Sequence, residues 1–164
     1  MTFNQRQFRD ALSLFATGIT VVTTHGEDGV DAGITANSFN SVSLDPPLIL
    51  WSIGHDSGSF QTFESCEHFA VHILTVDQTD LSQRFASLGA NKFANLKTVR
   101  GLGNVPLLSE CAARFECSVF KRVPAGDHTI YIGKVERLTS DPRHPPLIYH
   151  GGKYSALKDV APIT

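Results

Sequence analysis

Gly33-Ile-Thr-Ala-Asn-Ser-Phe-Asn-Ser-Val-Ser-Leu-Asp-Pro-Pro47 is the stretch whose reading decides the fold. It carries six hydroxyl or amide side chains (Thr35, Asn37, Ser38, Asn40, Ser41 and Ser43) and neither Lys nor Arg. An apolar run, Leu48-Ile-Leu-Trp-Ser52, follows directly. Such polar residues favour turns, because their side chains bond their own backbone. Packed between two strands, the same groups form a surface for hydrogen-bonding a polar small molecule. The flanking segments decide between an ordinary loop and a binding wall.

Upstream, Asp31 to Ala36 reads as a strand. It forms a hairpin with Ile19-Thr-Val-Val-Thr-Thr24, which is β-branched throughout. Before that, Asn4 to Ala16 predicts a helix with Phe8, Ala11, Leu12 and Phe15 on one face, Thr2 or Asn4 capping its start and Gly18 ending it. Downstream, Pro46-Pro47 sets the start of a strand over Leu48–Ile53, a position where proline is tolerated. In the polar loop after it, Ser57 or Ser59 caps a short helix carrying Phe60 and Phe63. Phe69 to Leu74 predicts a buried strand, and Asp77 to Ser87 a helix with Leu81 and Phe85 one turn apart. Gly89 to Leu108 has no period and predicts a long ordered loop.

The last third is strand-rich. Ala112 to Arg122 places Phe115, Cys117 and Val119 on one face and Glu116, Ser118 and Phe120 on the other. Val123 to Asp127 is a turn. A long strand over His128–Leu138 directs Ile130, Ile132 and Val135 inward. Leu147–Tyr149 is a short strand, and His150–Tyr154 a closing turn. Many strands, three helical pieces and no β-α-β alternation exclude a doubly wound sheet. They predict a mainly β fold with peripheral helices, an antiparallel barrel, in a single domain over 1–164.

Composition narrows the function. A net charge of -2 and no basic run exclude a polyanion-binding role, so no nucleic-acid partner is expected. No apolar run has the length of a membrane span. The N-terminus lacks the apolar core of a signal peptide. Cys66, Cys111 and Cys117 have no metal-type spacing and read as free thiols of a reducing compartment, so a cytoplasmic protein is expected. The seven histidines form no short-spaced ligand pair on a helix, and no metal is expected.

The phosphate-binding glycine motif is absent, since Gly101-Leu-Gly103-Asn-Val-Pro106 has proline at its third position. Asp127 and His128 are neighbours and should point to opposite faces of a strand, which makes them poor candidates for a bonded pair. Three segments remain as candidate chemistry. They are Gly33–Pro47, the turn Gly126-Asp127-His128, and the closing Pro146-Leu-Ile-Tyr-His-Gly-Gly-Lys-Tyr154.

These three segments, with Thr17-Gly-Ile-Thr-Val-Val-Thr23, resemble the short-chain flavin reductases, the reductase components of two-component flavin-dependent monooxygenases. Their order and spacing match from about Phe8 to Leu157. The resemblance implies an FMN-binding split β-barrel, a homodimer, and oxidation of NADH or NADPH by FMN or FAD. Reduced flavin then diffuses to a separate monooxygenase.

The resemblance also implies a site. Thr35, Ala36, Asn37 and Ser38 line the flavin, Ser52 and Ile53 lie by its ring, and Ser57 meets the phosphate or ribityl chain. Phe85, Lys92 and Phe93 match the Arg-Phe and Lys-Phe segment, with Lys92 offsetting phosphate charge. His128 is the catalytic candidate on the nicotinamide side, in a loop shaped by Gly126 and Asp127, and Tyr154 is a further contact there. His72 departs from the family pattern, which commonly has Asn.

Neutral donors suffice for such a site, because backbone N–H groups bind anions and the hydride chemistry belongs to the cofactor. Two other barrel functions fit less well. One is a non-catalytic flavin- or haem-binding carrier or sensor. The other is a pyridoxamine-phosphate type oxidase, which wants more Arg and Lys than this chain offers.

Overall fold

The computed structural model describes residues 2–89 and 91–158. Met1, Ala90 and residues 159–164 belong to the expected single domain, and Ala90 to the expected 89–108 loop. They lie outside the described residues.

Helix α1 (Gln5–Ser13) is capped by Asn4, whose side chain accepts from the Gln7 N–H while Gln7 bonds back to Asn4. Strands β1 (Thr17–Gly18), β2 (Thr20–His25), β3 (Asp31–Ala36), β4 (Asn40–Leu44) and β5 (Pro47–Gly54) follow. Then come α2 (Phe60–Ser65), β6 (His68–Ile73) and α3 (Thr79–Ala86). The chain continues through β7 (Thr98–Arg100), β8 (Pro106–Leu108), β9 (Ala113–Ala125) and β10 (His128–Ser140). It ends in the hairpin β11 (Ile148–His150) and β12 (Lys153–Ser155).

Seven strands form one sheet in the order β3-β2-β6-β9-β10-β5-β4, antiparallel at every pairing. The sheet curls on itself without closing, which makes a split barrel. The hydroxyl of Ser38, just past β3, bridges the split. It accepts from the Ser52 N–H at 2.9 Å and donates to the Ser52 carbonyl at 3.2 Å. A second sheet, β1-β11-β12, flanks the barrel.

The core follows from alternation along β5. Ile49, Trp51 and Ile53 point inward and are buried. Trp51 stacks on Tyr131 at 5.1 Å and meets Phe63 and Phe69 edge-on. Among the described residues, no helix is long and apolar enough to cross a membrane.

Several expectations need correction. The 89–108 segment is not featureless, since β7 and β8 form a hairpin around a turn at Leu102–Asn104. Its order comes from tertiary bonds. Thr23 Oγ1 donates to the Pro106 carbonyl, and the Leu108 N–H donates to His72 Nε2. Arg100 forms a two-pronged pair with Asp31, which His25 also contacts.

The expected 123–127 turn is shorter, because β9 runs to Ala125 and pairs with His128 across Gly126 and Asp127. Gly126 has φ 64°, the positive-φ position that such two-residue turns reserve for glycine. The expected phase of β10 is inverted. Thr129, Tyr131 and Gly133 are buried, while Ile130 and Ile132 sit half-buried on the outer face. Val135 does pack on the core, after a register shift at Ile132/Gly133. On β9, Phe115, Cys117 and Val119 pack on the core as expected, and Glu116 is also buried, its carboxylate accepting from the Leu102 N–H. The 150–154 turn is a hairpin that carries Tyr154 on β12.

Candidate functional site

The ends of β3 and β5 meet at the split through the Ser38–Ser52 bonds, and two of the expected site residues, Asn37 and Ser38, line the cavity beside it. A cavity of about 660 Å³ opens there, a volume in the range of small-molecule sites. Asn37, Ser38, Phe39 and Asn40 form one wall. The opposite wall is α1, Thr17, Tyr149 and the Gly151-Gly152 turn.

Thr35 donates its hydroxyl to the Ser82 carbonyl at 2.6 Å, so toward a ligand it offers lone pairs only. Ser82 Oγ in turn pairs with Tyr154 OH at 2.9 Å. Ser82 is fully buried on α3. It therefore ties Thr35 on β3 to Tyr154 on β12. Sequence reading missed it. The available signal was a hydroxyl at position 82 three residues before Phe85, on the buried face of the helix.

Ser52 faces the split, while the side chain of Ile53 lies in the core, leaving only Ile53 backbone near the site. The Ala36 carbonyl is taken by the Thr20 hydroxyl at 2.7 Å. Ser57 shapes the turn after β5, its N–H donating to the Gly54 carbonyl and its hydroxyl accepting from Ser59 N–H. Neither Ser57 nor Ser59 caps α2 through its side chain, contrary to expectation. Ser59 instead donates its hydroxyl to the Gly33 carbonyl at 3.3 Å.

Gly33 is where backbone and ring approach most closely. A Cβ there would overlap the Phe85 ring and stand 3.2 Å from Phe93. Phe85 is fully buried and meets Phe93 edge-on at 5.1 Å, so Phe85 supports the wall from behind. Lys92 donates to the Phe85 carbonyl at 2.8 Å and to the Gly33 carbonyl at 3.3 Å. Burial pushes its ammonium pKa down. An ammonium has three donors, which leaves one. Lys92, Phe93, Ser59 and Gly33 line a smaller pocket of about 190 Å³.

At the tip of the β9–β10 hairpin, His128 Nδ1 lies 2.7 Å from Asp127 Oδ1, so these neighbours do form a bonded pair. The expected opposition of side chains fails because Asp127 is in the turn and not in the strand. The Asp127 carboxyl is held below its usual range by that bond. His128 pairs with Gly54, and its Nε2 is 3.6 Å from where a Gly54 Cβ would be. The described residues thus place site candidates in three groups, around the large cavity, the Lys92 pocket and the hairpin tip.

His72 is fully buried on β6. Its Nδ1 bonds the Val21 carbonyl at 3.0 Å and its Nε2 accepts from Leu108, so the ring is neutral with its proton on Nδ1. Burial pushes its pKa down to about 3, with nearby Arg114 adding to the fall. Its role is to hold β8 to the barrel.

Known proteins resemble this chain in sequence and in fold. The chain is 47% identical over 135 residues to the reductase component of a flavin-dependent trigonelline monooxygenase from Acinetobacter baylyi. That match takes in 82% of this chain but 44% of the relative's length. It is 44% identical over 151 residues to the FMN reductase (NADH) SmoA of Agrobacterium fabrum, covering 92% of this chain and 85% of that protein. The structure of the Streptomyces globisporus NADH:FAD oxidoreductase SgcE6, in complex with NAD and FAD fragments, superposes with a TM-score of 0.90. Identity there is 34%, over 97% of this chain and 96% of that one. The flavin reductase like domain matches residues 12–158, and the chain belongs to that family.

Proposed function

We propose that this protein is an NADH-dependent flavin reductase that supplies reduced FMN or FAD to a separate monooxygenase. The observation that carries the reading is the neutral wall Asn37–Asn40 on a cavity of about 660 Å³ at the split. A flavin needs a flat slot, amide-like partners for its ring edge and a donor for its phosphate. Asn37 and Asn40 supply the second, and Phe39, Phe15 and Tyr149 flank the first. The remaining Lys92 donor suits the third.

Bound flavin supplies the two-electron acceptor for a hydride leaving reduced nicotinamide. The protein positions the rings and excludes competing reactions. His128 is the candidate contact on the nicotinamide side, with Asp127 holding Nδ1 and leaving Nε2 for the substrate. Thr35, with its proton committed to Ser82, accepts from a donor of the ligand.

A homodimer belongs to the same reading. Among the described residues, α1 buries none of its own side chains, with Phe8 52% exposed, and Leu44 is 96% exposed. A second copy covering these groups accounts for them. The cysteines are free, as a reducing cytoplasm leaves them.

The test is anaerobic bleaching of flavin absorbance by NADH and by NADPH, each crossed with FMN and FAD. Catalytic bleaching above the protein-free rate is expected with NADH. A rate equal to the blank with both nicotinamides would overturn the proposal in favour of a non-catalytic carrier. Sedimentation should give twice the chain mass.

A further inference from the structure

The ring of His128 has few restraints of its own. Its side chain is 48% exposed at the hairpin tip, and the Asp127 carboxylate that holds Nδ1 at 2.7 Å is 95% exposed. Across the ladder its partner is Gly54, which has no side chain to pack on the imidazole. Even an added Cβ at Gly54 would stand 3.6 Å from Nε2, an ordinary contact. The place of the ring is therefore set by the backbone of the tip, through the residues on either side of His128.

Both of those residues are fastened to His55. β5 ends at Gly54, and His55 follows directly. The His55 N–H donates to the Asp127 carbonyl at 2.9 Å, which carries the pairing one residue past the strand. Its ring Nε2 lies 3.0 Å from Thr129 Oγ1. Thr129 pairs with Ile53, so His55 is its diagonal neighbour, within reach of a long side chain. Thr129 is buried, and its hydroxyl needs such a partner. The Phe60 ring, at the start of α2, meets the His55 imidazole edge-on at 4.9 Å and backs it. His55 thus clamps the positions before and after His128, and α2 steadies the clamp.

We propose that His55 is a positioning residue, which fixes the tip on both sides of His128 and so places His128 Nε2 for the nicotinamide. The inference rests on the flavin reductase reading, in which His128 meets the hydride donor. His55 itself stays out of the reaction. Its amide acts on Asp127 and its ring on Thr129. The ring bond forms with either protonation state of the imidazole, because a hydroxyl can donate or accept.

The experiment removes the ring bond from each end and asks whether the effect passes through His128. His55→Ala deletes the ring, and Thr129→Val deletes the hydroxyl while keeping its shape. His55→Gln keeps a side-chain amide that reaches the position of Nε2. In His55→Ala and in Thr129→Val the KM for NADH at saturating FMN rises about three- to tenfold, the scale of one lost hydrogen bond. The FMN Kd, read by fluorescence titration, holds at the wild-type value. His55→Gln stays near the wild type. The double variant is no worse than either single one, because both lose the same bond. In a His128→Ala background, His55→Ala adds nothing to the KM.

In ligand-free protein, the imidazole proton and nitrogen resonances of His128 should shift in His55→Ala and return in His55→Gln. The inference is overturned if those resonances do not move, or if His55→Ala leaves the KM for NADH at the wild-type value. It is equally overturned if the FMN Kd rises by the same factor, or if the effect persists undiminished without His128. The resonances need no turnover, which separates the two levels. Absent turnover in the wild type defeats the reductase reading, and the His128 resonances still decide whether His55 positions that ring.

Discussion

The two sides of β5 are built from different chemistry. Inward, Ile49, Trp51 and Ile53 pack into a core of aromatic and aliphatic side chains, with the Arg122 guanidinium over the Tyr131 ring at its margin. At the split, the same strand offers Ser52, whose backbone is satisfied by one hydroxyl from Ser38. The first side is held by many dispersed contacts, and the second by a few directional bonds. Burial therefore carries stability on one side, while the other keeps polar groups available for a ligand.

The sharpest way to break this contrast is Trp51→Ala. Removing a fully buried indole should cost about 3–5 kcal/mol, read by denaturant unfolding, and the loss should appear with or without flavin. Next is Gly33→Ala, where the added methyl must displace Phe85 or the strand. Overpacking of this kind costs about 1–3 kcal/mol. Because Gly33 also carries the Ser59 and Lys92 bonds, the same variant should weaken FMN binding.

The third prediction uses pH. The pKa of His72 is lowered on folding, so the unfolded chain takes up a proton that the folded protein refuses. Stability is fully present above the unfolded value near 6.5 and falls as pH drops from there toward about 3. The slope from this group approaches about 1.4 kcal/mol per pH unit. The groups facing the ring are the Val21 carbonyl from β2, the Leu108 N–H from β8 and the Arg114 guanidinium from β9. His72→Asn, which retains a donor and an acceptor without titrating, should flatten this part of the urea-midpoint profile. A slope unchanged by the substitution would locate the effect elsewhere.

Ser38→Ala should cost about 1 kcal/mol by freeing the Ser52 backbone, with a larger proportional effect on FMN affinity than on stability. The smallest stability effect belongs to Asp127→Asn at the exposed hairpin tip. Its melting temperature should stay at the wild-type value, while the KM for NADH rises if the pair orients His128. An unaltered KM would remove Asp127 from the site.

Much of this contrast was legible in the sequence, for reasons that differ by region. β2 and β5 were found because hydrophobic or β-branched residues run almost unbroken along them, and β3 as the second arm of the β2 hairpin. Asn37 and Ser38 stood out by composition alone. The phase of β10 was not legible, since Ile130 and Ile132 resemble core residues. The inward positions are instead Tyr131 and Gly133, and Gly133 is shaped by the Phe69 ring, close to where a Cβ would stand. β7 and β8 were invisible because three-residue strands have no period, and their order depends on partners such as Thr23 and His72. Ser82 escaped because a single hydroxyl has no pattern until its neighbours are known.

The Ser38 bridge has a further consequence, in the exchange of backbone protons with solvent. Trp51 and Ile53 belong to the inner rows of the sheet, and their amides should exchange only through global unfolding. The Ser52 amide is guarded by one side chain at the seam, so brief opening of the seam suffices to exchange it. One proton in the middle of a stable strand thus becomes a clock for the opening of the barrel. Ligand binding across the seam should slow that clock well before it alters its neighbours.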